Sequence, residues 1–228
     1  MSGFDCTLGP VSILNRLAHF QNRRDEEPNL VLAKELAAAR DTAGIRELAE
    51  NLENANAELQ SDCIKVLYEI GASEPRLIAG YAGDFLKLLG SKNNRLVWGG
   101  MTALAAALAP DAVAGVAEVS TAELFKSWQT IRDALETGSV ITADQGILAL
   151  ARIAASDAAR RTAIFPYLLK HLATCRPKDV PQRAEKIAAA VDAGNRAAFV
   201  AALEKRLPEL SAAQAARVKK LIKLAAAA

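Results

Sequence analysis

Within residues 92–110 the apolar side chains Val97, Met101, Leu104 and Leu108 recur at i, i+4, i+7 and i+11, the period of one helix face. Asn93 or Asn94 offers a capping oxygen ahead of the stripe, and Pro110 stops it. The same spacing returns in Leu124, Trp128, Ile131 and Leu135. That stripe starts behind Ser120 and Glu123, which have the spacing of a capping box. Ile45, Leu48 and Leu52 mark a helix over residues 42–55. Cys63, Val66, Leu67 and Ile70 mark one over 58–70, with Gly71 as its expected C-cap. Tyr81, Phe85 and Leu88 belong to a helix expected over 75–89, and Ile147, Leu150 and Ile153 to one over 142–155. Runs rich in β-branched and aromatic residues, which strands need, are missing. The pattern predicts an all-α chain.

The two ends read less regularly. Ile13, Leu14, Leu17 and Phe20 predict a helix over about residues 10–22, followed by the charged connector Arg23-Arg24-Asp25-Glu26-Glu27-Pro28. A second helix is expected over 29–40. Beyond Asp157, Pro166 falls where a helix should continue, so a break is expected near Phe165. Asp179 and Pro181 suit the start of a helix reaching about residue 193, Phe199 and Leu203 mark the next, and Ser211 caps the last.

Inner-helix ends aligned on Ile70, Leu108, Ile153 and Val191 are spaced by 38, 45 and 38 residues. A helix pair recurring at this length is the HEAT or armadillo period, in which stacking buries the apolar faces that single hairpins cannot. The expected fold is a right-handed α-α superhelix, a HEAT/ARM-like solenoid of about five helix pairs, with a non-repetitive helical bundle as its rival. Residues 1–28 form a lead-in, a helix and a connector, and residues 29–228 the repeat domain, one domain overall. The chain also resembles bacterial HEAT-like repeat proteins. The likeness lies in Asn94-Arg95-Leu96-Val97-Trp98, Ile64-Lys65-Val66-Leu67-Tyr68-Glu69-Ile70 and Ile147-Leu148-Ala149-Leu150-Ala151-Arg152-Ile153, across about residues 42–194. The resemblance implies an architecture and no particular activity.

Composition sharpens this picture in two places. At 51% hydrophobic and 24% charged, the chain has the balance of a globular protein. No apolar run has the length of a membrane span, and the start lacks a signal-peptide pattern, so a cytoplasmic protein is expected. Cys6, Cys63 and Cys175 are odd in number and far apart, which fits a reducing compartment. The formal charge of +2 hides an asymmetry: residues 1–114 carry 11 Lys and Arg against 15 Asp and Glu, and residues 157–228 carry 14 against 6. The basic last third points to an acidic partner.

Candidate chemistry is sparse. His19 and His171 lack ligand or base partners at useful spacing, and no phosphate-loop, dinucleotide or nucleophile-elbow motif occurs. No enzyme class, metal or cofactor is indicated. Cys175, beside Arg176 and Lys178, is a candidate reactive thiol whose alternative is an inert loop cysteine. Gly99-Gly100 inside a helix implies close approach of a neighbour or room for a ligand beside Trp98. Arg95 and Trp98, at i and i+3, form a candidate cation–π pair. Lys65, Arg95, Arg152, Arg183, Lys186, Arg217, Lys219, Lys220 and Lys223 all fall on the inner-helix series. The candidate partner-binding residues are Arg95, Trp98, Arg152, Arg176, Lys178, Arg183, Lys186, Arg217 and Lys220. The expected function is a non-catalytic scaffold whose concave face holds a protein with an acidic surface. The alternative is a nucleic-acid binder related in fold to HEAT-like alkylpurine DNA glycosylases, whose aromatic-plus-aspartate site does not map onto this chain.

Overall fold

The computed structural model describes residues 12–113 and 125–227, and every regular element in them is helical. In chain order these are α1 (Glu27–Ala39), α2 (Thr42–Glu50), α3 (Ala57–Ser73), α4 (Ala82–Leu88), α5 (Asn94–Ala107), the short α6 (Pro110–Val113), α7 (Trp128–Thr137), α8 (Val140–Ser156), α9 (Ala158–Thr174), α10 (Val180–Ile187), α11 (Arg196–Arg206) and α12 (Ala212–Ala227). Polar side chains close several helix starts. Asp41, Asn56, Asn93, Ser139 and Asp157 each accept from a first-turn N–H that has no intrahelical partner.

The helices form two layers. In the front layer α1 packs on α3, α3 on α5, α5 on α8, α8 on α10 and α10 on α12. The back layer holds α2, α4, α7, α9 and α11, and each packs against front helices: α2 on α3, α4 on α5, α7 and α9 on α8, and α11 on α12. The front layer contains the inner-helix series expected from sequence. One buried apolar cluster runs between the layers from Leu17 to Val218. Each hairpin buries its stripe against the next, so the core is built by stacking.

Four departures from the sequence pattern have physical causes. Residues 12–22, the described part of the segment expected over 10–22, do not form the expected helix. From Ser12 the chain makes a 3-10 turn, Ile13–Arg16, and then turns through Asn22, which has a positive φ of 53°. Side chains from later helices take the backbone N–H groups that a helix would use. Glu47 accepts from Ile13, Asn29 from Ala18 and Asp62 from His19. Gly71 lies inside α3 rather than capping it, and a Cβ there would run into Ile78 Cδ1, so the glycine admits a neighbouring segment. The helix expected over 75–89 is two 3-10 turns followed by α4, an arrangement that leaves Ile78 fully buried. Pro166 does not break α9, which runs through it. An interior proline costs about 3 kcal/mol, but Ile164, Phe165, Leu168 and Leu172 flank it in the core, each contributing about 1.5–3 kcal/mol. The capping box at Ser120 and Glu123 lies outside the described residues.

The glycine pair marks close packing within the front layer and behind it. A Cβ on Gly99 would sit 3.0 Å from Ile64 Cγ1 of α3. One on Gly100 would sit 2.9 Å from Leu88 Cβ and 3.0 Å from the Phe85 carbonyl oxygen of α4. Close approach of two different helices, α3 and α4, explains both.

Candidate functional site

The basic residues of the front layer are arranged as rungs between consecutive helices. Lys65 on α3 reaches Glu26 at the start of α1, at 2.9 Å. Arg95 on α5 faces Glu58 on α3 at 3.8 Å. Arg152 on α8 donates to the Ala105 carbonyl of α5. Lys186 on α10 pairs with Asp144 on α8, which also accepts from Gln182 at 2.9 Å. Arg217 on α12 pairs with Glu185 on α10 at 2.8 Å. In every rung the cation lies on the later helix and the acceptor on the earlier one. Arg95–Glu58 and Arg217–Glu185 are solvent-exposed and worth about 0–1 kcal/mol each, whereas Lys65, Lys186 and Asp144 are largely buried.

This geometry divides the candidate residues. Arg183 is 6% exposed; its charge faces His171 and Cys175, and Asp179 stands 3.8 Å away. Arg176 pairs with the same Asp179 at 2.7 Å. Asp179 therefore serves two arginines and makes no side-chain cap for α10. Lys178 and Lys220 are exposed and have no ion pair among the described residues. Arg95 and Trp98 come together in a groove of about 820 Å³ on α1, α3 and α5.

The groove is built from the bottom of the front layer. Tyr68 on α3 and Trp98 on α5 form its aromatic wall, ring centroids 5.4 Å apart and tilted by 54°. Lys65 Nζ lies 4.9 Å from the Tyr68 ring. Burial pulls the Lys65 ammonium down, but hydrogen bonds to Glu69, Tyr68 and Glu26 more than offset it, so the group is held charged. Burial pushes the Tyr68 phenol up, so it remains a neutral donor. Arg95 does not stack on Trp98 as its spacing suggested. It is 67% exposed at the rim, opposite Glu58. Asp62 accepts from the His19 N–H and from Asn29 Nδ2, both at 2.8 Å, and so pins the lead-in as the second wall. The connector closes the far side, where Arg23 pairs with Asp25 at 2.7 Å and Arg24 has no ion pair among the described residues.

Sequence reading missed Tyr68, Asp62 and the connector. A signal for Tyr68 was present, because Lys65 and Tyr68 on α3 repeat the cation and aromatic spacing of Arg95 and Trp98 on α5. None existed for Asp62, whose role depends on contacts 33 and 43 residues away.

The C-terminal half holds a second polar cluster, which is structural in character. Trp128 packs on Tyr167 at 6.3 Å and Tyr167 on His171 at 6.3 Å, with Arg132 over the Trp128 ring. Burial, then the nearby Arg183 charge, push His171 down to about 4, so it is neutral near pH 7. Arg206, 5% exposed, donates to the carbonyls of Leu172 and Cys175 at 2.6 and 2.7 Å and pairs with Glu209 at 3.0 Å. It ties α11 to the C-terminus of α9.

Cys175 is not activated by the cations around it. Its thiol is half-buried and lies 3.5 Å from the Leu172 carbonyl. Burial raises its pKa more than Arg183 and Arg206 lower it. Cys63 is fully buried and pushed up to about 12. In a Cys6→Ser background, a disulfide reagent at neutral pH should label native protein far more slowly than free cysteine. Labelling should become rapid only after urea unfolding. A Cys175 that reacts faster than a free thiol would contradict this reading.

No family model matches the sequence, and no curated protein does either. Solved structures do. An engineered protein superposes with a TM-score of 0.64 at 20% identity, covering 94% of this chain and 98% of its own. A computationally designed armadillo repeat protein for modular peptide recognition superposes at 0.65 and 16% identity, covering 92% and 97%. The fold is that of an armadillo-like repeat solenoid. A further designed armadillo repeat protein, in complex with the peptide (KR)4, matches this solenoid at 0.63 and 16% identity, covering 92% of it and 99% of the design. At these identities the likeness concerns architecture.

Proposed function

We propose that the solenoid is a non-catalytic, HEAT-like interaction scaffold whose front layer is the concave face and whose groove at Tyr68 and Trp98 holds an acidic segment of a protein partner. The observation that carries this reading is the groove itself, where a half-buried aromatic pair sits beside an exposed Arg95 and an Arg24 that has no ion pair among the described residues. Aromatic and arginine side chains at the centre of a recess are the residues that dominate binding energies. Acids also line the groove: Asp25, Glu26 and Glu58 face Arg23, Lys65 and Arg95, and Asp62 accepts from the His19 N–H and Asn29. Charges in the lining balance, so the preference for an acidic ligand rests on Arg95 and Arg24 at the groove and on the basic last third of the chain. Recognition of peptides by designs of this fold supports a protein ligand.

Lys178 and Lys220 enter the proposal as exposed cations that have no ion pair among the described residues. Arg152, Lys186 and Arg217 enter the proposal as residues that bridge the front helices, and Arg176 and Arg183 as local partners of Asp179. Duplex nucleic acid is the weaker reading. It needs a run of unpaired cations, whereas Lys65, Arg95, Lys186 and Arg217 each face a carboxylate. No described helix is long and apolar enough to cross a membrane.

A displayed random-peptide library selected against the protein tests the proposal. The expected ligands are acidic peptides carrying an apolar or aromatic residue, and Trp98→Ala or Arg95→Glu should each weaken them about tenfold or more. Ligands that are basic, or indifferent to both substitutions, would sink it. A salt-dependent shift of duplex DNA would favour the other reading.

A further inference from the structure

Glu26 is the N-cap residue of α1, yet its side chain makes no hydrogen bond to the free N–H groups of that helix. It reaches across to α3 instead and meets Lys65 Nζ at 2.9 Å. Lys65 is 13% exposed and already holds Glu69, one turn along its own helix, at 2.8 Å. Glu26 is therefore the second acid on one ammonium. It comes from a different segment, and its side chain is 62% exposed.

The segment that carries Glu26 rests lightly on the groove. Leu17 and Ala18 before it and Pro28 and Asn29 after it are buried, while every residue from Phe20 to Glu27 is exposed. Within this loop Arg23 and Asp25 pair with each other at 2.7 Å, and Asp25 also accepts from the Glu27 N–H. At its start Asp62 accepts from the His19 N–H, and Asn56 Nδ2 lies 3.0 Å from His19 Nε2. At its end the tie to α3 is Glu26 on Lys65. Glu26 can turn to water at little cost, because most of its side chain is already exposed, and Lys65 would keep Glu69.

We propose that the loop over residues 20–27 is an autoinhibitory strap, in which Glu26 occupies on Lys65 the place that the acidic group of a ligand takes and must be displaced by it. This rests on the reading of the groove as a site for an acidic segment. The position suits a carboxylate because one is seated there. Lys65 Nζ lies 4.9 Å from the Tyr68 ring, and Trp98 continues the wall. An acid that replaces Glu26 therefore brings its apolar neighbours onto the aromatic pair. A site that is open in only a fraction of the molecules binds in proportion to that fraction, so release of the strap sets the affinity without any change in the wall.

The acidic peptides selected by display are the probes, with binding to the full chain measured by calorimetry. Glu26→Gln should bind them about fivefold more tightly, because affinity scales with the open fraction. The gain should vanish when Lys65→Met is also present, whereas a general loss of negative charge would still act there. Glu27→Gln removes the same charge one residue away from a group that is not a partner of Lys65, and should change affinity by less than about twofold. Without any peptide, trypsin should cut after Arg23 and Arg24 about threefold faster or more in Glu26→Gln and in Lys65→Met than in wild type. Unchanged helical circular dichroism in both variants separates an opened strap from lost folding. Equal or weaker peptide binding by Glu26→Gln would overturn the strap alone, since the peptides still report the groove. So would a gain of the same size with and without Lys65, or cleavage at the wild-type rate in both variants. A library that yields no acidic peptide would remove the strap and the groove reading together.

Discussion

Arg206→Ala is expected to lower the unfolding free energy by about 3 kcal/mol, read as a shift of the urea midpoint followed by circular dichroism. The guanidinium is 5% exposed and serves three acceptors on two segments: the Leu172 and Cys175 carbonyls and the Glu209 carboxylate. The two carbonyls lie at the end of α9, where helical acceptors have no intrahelical donor. Truncation strands them at a cost of about 1–3 kcal/mol each, and Glu209 adds little because it is half-exposed and can turn to water. Arg206→Lys should recover only a minor part, since one ammonium cannot reproduce the fork that spans both carbonyls. A loss below about 1 kcal/mol would mean that α9 and α11 are held by Phe199 and Leu203 alone.

Gly100→Val should cost a similar amount, about 3 kcal/mol, for the opposite physical reason. Leaving glycine raises helix propensity by a few tenths of a kcal/mol, so an exposed site would gain. At Gly100 that gain is outweighed, because the first added carbon meets Leu88 Cβ at 2.9 Å and a backbone carbonyl at 3.0 Å. Neither atom can rotate away. Gly99→Ala is the control. Its new carbon would meet Ile64 Cγ1 at 3.0 Å, the arm of a side chain that can shift, so its effect should lie within about 1 kcal/mol of zero. Equal losses at the two glycines would contradict the view that each serves a different neighbour.

The sequence was most legible where local rules act alone. The stripes of α5 and α8 and the capping oxygens of Asn93 and Asp157 depend on residues within a turn or two of each other. The front and back layers follow from the recurring length, because a stripe of this width must be covered by the next hairpin. Legibility failed wherever a distant residue decided. The lead-in carries a helical pattern, yet Glu47, Asn29 and Asp62 claim its N–H groups. Pro166 carries a helix-stopping signal, yet the apolar residues around it keep α9 whole.

The candidate site divides along the same line. Helical spacing alone placed the cations on one series of helices, and Arg95 close to Trp98. Which cations are free could not be read that way, because their partners stand 32 to 47 residues away on a neighbouring helix. Sequence determined an all-α chain of stacked pairs with an acidic N-terminal half and a basic last third. Only the tertiary structure turned most of the basic strip into rungs, buried Arg183, quieted Cys175 and opened the groove at Tyr68 and Trp98. Periodicity and capping are properties of one helix, whereas charge pairing, burial and recesses arise only when helices far apart in the chain are brought side by side.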